Sequence, residues 1–197
     1  MAETCTFTFD DGPDPEWTPR VLAELARARV RATFFVDTGR VARAPGVVAA
    51  ILAASHDVEL HCHRHVRHSE RSLDELERDT STALATLARV GVVPRRWRVP
   101  WGVCTAATSS VAVRYGLELV GWTIDTHDWR GDDAEAMLAE ASAELGDGSV
   151  ILMHDALGPG ARRAGCSATV ELIEPLASAA RARALRLAPL SEAGSNA

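Results

Sequence analysis

Segments of strand character alternate with segments of helical period along nearly the whole chain, and that alternation restricts the possible folds more than any other feature of the sequence. Apolar runs over 5–10, 32–37, 57–61, 97–99, 118–124, 150–153 and 185–187 read as strands. Helices are predicted over 17–29, 47–54, 72–90, 106–115, 133–145 and 169–182. Thr18-Pro19 opens the first helix, and Ser72 with Glu75 three residues on spells a capping box at the start of the longest. Short loops bearing Gly, Pro and Asp join these segments, the pattern of β/α units around parallel strands. Seven or eight such units predict an α/β fold that closes as a barrel of parallel strands rather than lying open as a sheet. With 197 residues, 47% of them apolar, the chain suits a single domain with a large core and shows no linker or internal repeat. The domain is expected over 1–190, with the small polar residues 191–197 fraying.

Charge and cysteine usage exclude several function classes. A formal net charge of −6, with Arg scattered rather than blocked, argues against a nucleic-acid partner, because phosphate binding needs a basic face. Cys5, Cys62, Cys104 and Cys166 lie far apart with no C-x-x-C spacing, so neither a disulfide framework nor a cysteine-rich zinc site is expected, and a reducing compartment fits best. No apolar run reaches the ~18–20 residues that span a bilayer, and no signal-type segment follows Met1. The expected location is the cytoplasm with no membrane partner, unless a leader has been removed.

In a β/α barrel the loops after the strands gather at one end, where catalytic groups collect. Each polar cluster of this chain follows a predicted strand. Asp10 and Asp11 are adjacent in Thr8-Phe9-Asp10-Asp11-Gly12, a segment that reads equally well as a turn or as a pair of carboxylates sharing one small space. His61, His63, His65 and His68 fall within eight positions. His61 and His65, at i, i+4, can meet one ion only if the chain turns after His61, since extended strand would hold them ~13 Å apart; His61 and His63 are the competing pair. Asp11, His61 and His65 make three ligands with an open position, the layout of a catalytic zinc. Arg98 follows a short strand and is placed to hold Asp10 as a bidentate partner. Trp122, Asp125, Asp128 and Trp129 suit either a sugar-binding rim or a hydrophobic plug, and Asp128 is available to orient His154 as a general acid. Gly158-Pro159-Gly160 with Gly165 is no phosphate cradle, because Arg163 and Cys166 stand where glycine and lysine are needed; a flexible loop is expected there.

Together these residues resemble the polysaccharide deacetylases of the NodB-homology type, the family 4 carbohydrate esterases. The resemblance runs from Thr8 to about His154, with the family motifs in order: Thr8-Phe9-Asp10-Asp11-Gly12, His61-x-x-x-His65, Arg98-x-Pro100-x-Gly102, Asp125-x-x-Asp128-Trp129 and Leu152-x-His154. It implies a distorted (β/α) barrel, with Asp10 as catalytic base and Asp11, His61 and His65 holding a divalent metal. It implies also that Arg98 anchors Asp10, that His154 is the general acid tuned by Asp128, and that Trp129 and Leu152 line the acyl pocket. The backbone N–H of Trp101 would join the metal in stabilising the oxyanion. Two positions depart from the family pattern: Cys62 replaces the usual Ser or Thr, and Trp101 the commoner Tyr.

The resulting expectation is a metal-dependent hydrolase that removes an N-acyl group, N-acetyl first, from an amino sugar or a small N-acylated oligosaccharide. Zinc is the expected ion, with cobalt or nickel able to use the same ligands. The alternatives are an amidohydrolase of the same scaffold acting on a formamide, cyclic imide or ureide, and a carbohydrate-binding protein without turnover.

Overall fold

The computed structural model describes residues 3–193. The chain runs β1 (Thr4–Asp10), α1 (Trp17–Ala28), β2 (Thr33–Asp37), α2 (Thr38–Val41), α3 (Pro45–Ala53), β3 (Asp57–Cys62), α4 (Leu73–Arg89), β4 (Arg96–Trp97), α5 (Ala106–Tyr115), β5 (Glu118–Leu119), β6 (Ile124–Asp125), α6 (Ala134–Glu144), β7 (Ser149–His154), α7 (Ser167–Ala182) and β8 (Arg186–Leu187). Single 3-10 turns occupy His68–Glu70, Pro100–Gly102 and Asp128–Arg130. Every strand pair is parallel, in the order β5-β4-β3-β2-β1-β7-β6, with β8 beside the start of β1. Among the described residues no helix is long and apolar enough to cross a membrane.

β1 is central and buried on both faces, as a strand of a helix-covered parallel sheet must be. Cys5, Phe7 and Phe9 point into the hydrophobic core. By the two-residue period of a strand, Thr6, Thr8 and Asp10 share the opposite face, which is also buried but polar. The covering helices present apolar stripes to the sheet; on α1, Val21, Leu25 and Ala28 recur at helical spacing and are buried. The capping box read from Ser72 and Glu75 is present and starts α4.

One predicted strand divides. The segment expected as a single strand over 118–124 forms β5, which pairs with β4, and β6, which pairs with β7 at the far edge of the sheet. Residues 120–123 therefore cross the gap between the two edges, and the barrel is closed there by chain rather than by a ladder. The Gly121 carbonyl in this crossing accepts a hydrogen bond (2.7 Å) from Nη2 of Arg98, which is 1% exposed and fills the barrel interior. Arg98 Cζ also lies 4.2 Å from the Phe35 ring centroid.

The segment expected to fray is anchored at its start. The Ser191 backbone and hydroxyl donate to Asp57 at 2.9 and 2.8 Å, and Glu192 pairs with Arg31. Both partners, Asp57 as acceptor and Arg31 as donor, are supplied by the body of the domain, which is why a short polar segment holds its place. Residues 194–197 lie outside the described part of the chain.

Candidate active site

The carboxylates come from the turn after β1. Asp11 has φ 73°, in the left-handed region that Asp tolerates better than most residues, and this turn carries its carboxylate toward the loop after β3. Two glycines make the approach possible. A Cβ on Gly12 would sit 2.2 Å from Asp155 Oδ2, and one on Gly158 would sit 1.9 Å from Asp11 Oδ2.

After His61 the chain does turn. Asp79 of α4 pins the turn, accepting from the His63 and Arg64 backbone at 3.1 and 3.4 Å and from Arg64 Nε at 3.1 Å. As a result the His61 and His65 rings stand 5.1 Å apart instead of a strand's length. Their Nε2 atoms lie 3.4 and 3.3 Å from Asp11 Oδ1, and one donor atom from each of the three residues falls within 4.8 Å of the others. His63 is turned away and hydrogen-bonds Thr38 Oγ1 (3.0 Å), which removes the competing pair. His68 is buried against Trp97 and bonded to Thr108, a structural histidine.

The chemistry of this donor set fits a divalent cation. His61 Nδ1 lies 2.7 Å from the Arg98 carbonyl, which can only accept, so Nδ1 carries the proton and the neutral ring has its Nε2 lone pair facing Asp11, free for a metal ion. Burial alone would lower the His61 pKa, but the charges of Asp10 and Asp11 reverse the direction and raise it. Burial alone would likewise raise Asp11, and the adjacent His61 and His65 imidazoles hold it well below the usual carboxylate range. A buried place that favours a protonated imidazole is one that favours positive charge. The His65 ring rests edge-on against Trp101, with centroids 4.2 Å apart.

Asp10 lies beside this trio, its Oδ1 accepting from Arg98 Nη1 at 3.0 Å and its Oδ2 3.9 Å from His61 Nδ1. The expected bidentate pairing does not form. Arg98 spends its second nitrogen on Gly121, and Nη1 is shared with Thr8 Oγ1 at 2.6 Å.

Opposite stands His154, at the end of β7. Its Nδ1 lies 2.7 Å from Asp128 Oδ1 and its backbone N–H donates to Asp128 Oδ2 at 2.9 Å. Asp128 Oδ2 also accepts from Arg163 Nη1 (2.9 Å) and Thr169 Oγ1 (2.7 Å). Burial would lower the His154 pKa, but the Asp128 carboxylate raises it to about 9; burial would raise Asp128, but His154 and Arg163 bring it down to about 2. At neutral pH the pair is an imidazolium on a carboxylate, with Nε2 left over.

A cleft of about 410 Å³ joins these groups; Trp101, Trp122, Asp125, Trp129 and Leu152 line it together with Asp10, Asp11, His61, His65 and His154. Arg98 and Asp128, counted among the catalytic groups from sequence, are outside that lining and act through Asp10 and His154 as positioning residues. The loop over 158–163, expected to be a flexible connection, forms one wall of the cleft. Sequence reasoning also missed Asp79, Arg163 and Thr169, none of which stands in a motif. In the sequence Arg163 stands out only as the residue that breaks a phosphate-loop pattern.

The chain is similar to several known proteins. The polysaccharide deacetylase family matches residues 2–120. A chitooligosaccharide deacetylase from Bradyrhizobium sp. (strain ANU 289) is 32% identical over 192 residues, covering 94% of this chain and 88% of that protein. The peptidoglycan-N-acetylglucosamine deacetylase PgdA of Listeria monocytogenes serotype 1/2a (strain 10403S) is 36% identical over 149 residues, 75% of this chain, and the match spans 31% of that protein's length. Among solved structures, a family 4 carbohydrate esterase from Streptomyces lividans in complex with acetate aligns with a TM-score of 0.84 at 30% identity, covering 93% of this chain and 90% of that one.

Proposed function

The chain belongs to the polysaccharide deacetylase family, and from that premise we propose that it hydrolyses the N-acetyl amide of an amino sugar, within a small oligosaccharide or glycoconjugate. The observation that carries the proposal is the convergence of Asp11, His61 and His65 beside Asp10, with His154 across the same cleft.

Asp11, His61 and His65 would hold a divalent ion, zinc by the mixed nitrogen and oxygen donors, with cobalt or nickel as substitutes. When bound, the ion supplies Lewis acidity toward the acyl carbonyl and the attacking water. Asp10, kept in place by Arg98, takes the proton of the water as its oxygen bonds to the carbonyl carbon. The oxyanion that develops is met by the backbone N–H of Trp101. His154 passes its Nε2 proton to the nitrogen as the carbon–nitrogen bond breaks, and Asp128 keeps that imidazolium formed until then. Trp129 and Leu152 line the space for the acyl methyl. Acetate and a free amine leave. Cys5, Cys62 and Cys166 are buried free thiols and Cys104 an exposed one, which supports a reducing, cytoplasmic location that cell fractionation would test.

The test is acetate release from N-acetylated sugars and chitooligosaccharides, by protein stripped of metal and reloaded with zinc, cobalt or nickel. N-formylated sugars and cyclic imides run alongside. Turnover of the acetylated substrates only in reloaded protein is expected; formate or ring opening as the main product would replace the reading with the amidohydrolase alternative.

A further inference from the structure

Two guanidinium–indole pairs flank the carboxylates at the cleft mouth, and the sheet order puts them on opposite sides. Arg67 comes from the loop after β3 and lies 4.5 Å over the ring of Trp101, from the loop after β4. Arg162 comes from the loop after β7 and lies 6.0 Å from the ring of Trp129, from the loop after β6; its backbone N–H donates to the Trp129 carbonyl at 2.8 Å. β3 and β4 sit on one side of β1 in the sheet, β7 and β6 on the other. Both arginines line the cleft, and among the described residues neither has a carboxylate within 4.0 Å. Arg130, a further cation over Trp129, shows the contrast: it is outside the cleft and paired with Asp132 and Glu140. One acid, Asp125, lines the cleft near Trp129, but its Oδ1 accepts from the His127 backbone at 2.7 Å and its Oδ2 lies 3.7 Å from the His127 ring.

A chain of net charge −6 thus keeps two acid-free cations at the entrance to its site, each held against an indole that lines the cleft. Resting on the deacetylase reading, we infer that Arg67 and Arg162 are specificity residues for an anionic substituent, a carboxylate or phosphate ester, carried by the glycan next to the reacting N-acetyl sugar. A neutral oligosaccharide offers neither guanidinium an opposite charge. An anionic one gains a charge-assisted hydrogen bond with directional geometry.

The experiment compares kcat/KM on chitotriose, on chitotriose bearing a carboxymethyl ether and on chitotriose bearing a phosphate ester, all with zinc-loaded protein at low and high salt. The anionic substrates are expected to exceed the neutral one by about tenfold at low salt, and the advantage to shrink as the screening length falls toward ~3 Å in molar salt. Arg67→Ala and Arg162→Ala should each cut the ratio of anionic to neutral kcat/KM by about three- to tenfold. Whichever of the two anionic arms gains more identifies the source of the charge. Equal acetate release from all three substrates would overturn the inference and leave the deacetylase reading standing, as would an advantage that survives in the double variant. No acetate from any of them would overturn both.

Discussion

Replacing Asp128 by Asn should disable the acid half of the reaction without disturbing the metal ligands, and the loss can be worked out from one hydrogen-bonded pair. His154 is held at a pKa of about 9 chiefly by the Asp128 charge 2.7 Å from its Nδ1, against a burial effect that lowers it. At pH 8 about nine in ten molecules then carry the imidazolium. Asn keeps the shape and removes the largest charge that raises the ring, so its pKa falls toward the ordinary 6.5, with only Asp11 and Asp10 left to oppose burial. At 6.5 itself only about 3% would be protonated at pH 8, so the loss in the competent form reaches about 30-fold in the limit, before any misorientation is counted.

The amide adds a second effect. If its NH₂ faces Nδ1, the ring must accept there and becomes the neutral Nε2–H tautomer, a far weaker acid. The assay is kcat for acetate release across pH 5–10, with a thermal melt and metal content for each variant to establish that fold and ion are intact. The alkaline limb should move from near 9 down toward 6.5, with kcat at pH 8 down severalfold to about 30-fold. A variant whose alkaline limb stays near 9, or whose kcat at pH 8 is within about twofold of the parent, would refute the assignment of His154 as an acid tuned by Asp128.

Asp10→Asn should retain its metal and lose about 10²–10⁴-fold in kcat, whereas His61→Ala should lose the ion itself; metal analysis beside the rate separates the two outcomes. Asp79→Ala frees the turn that brings His61 and His65 together, so zinc affinity should fall about 10- to 100-fold in competition with a chelating dye, and an unchanged affinity would show that the turn holds itself. Asp155 is raised to about 7, first by burial and then by Asp11 and Asp10, with Thr18 supplying its one side-chain hydrogen bond. Because its folded pKa lies above the ordinary 3.8, its favourable state is the protonated one, complete below 3.8 and lost as pH rises through 7. Asp155→Asn should therefore stabilise the metal-free protein at pH 8, by about 2–4 kcal/mol at most, and do little at pH 4; a lower melting temperature at pH 8 would contradict this.

The parts of the fold that could be read from sequence are those whose cause is local. β1, α1, α4 and α5 follow from apolar periodicity and capping residues within a few positions, and their observed bounds lie close to the predicted ones. The segment over 118–124 fails for the opposite reason. Its apolar run is real, but its hydrogen-bond partners are β4 at one edge and β7 at the other, and nothing local records that a single segment must serve both.

The site divides along the same line. Asp10, Asp11, His61, His65 and His154 are legible because each follows a strand, and parallel strands deliver their ends to one rim. The residues that make those side chains work come from elsewhere in the chain. Asp79 is 16 residues past His63, and Arg163 is 35 past Asp128. Arg98 and Asp128 are the supports that stand in motifs, and for Arg98 the reading from sequence misleads on geometry: it suggests two bonds to Asp10, but one guanidinium edge closes the barrel through Gly121 and Thr8. A group that closes the fold and orients the base at once has little freedom to yield. Arg98 is therefore where a change meant for catalysis would be felt first as loss of the domain, and Asp128 is the place where the two effects can be told apart.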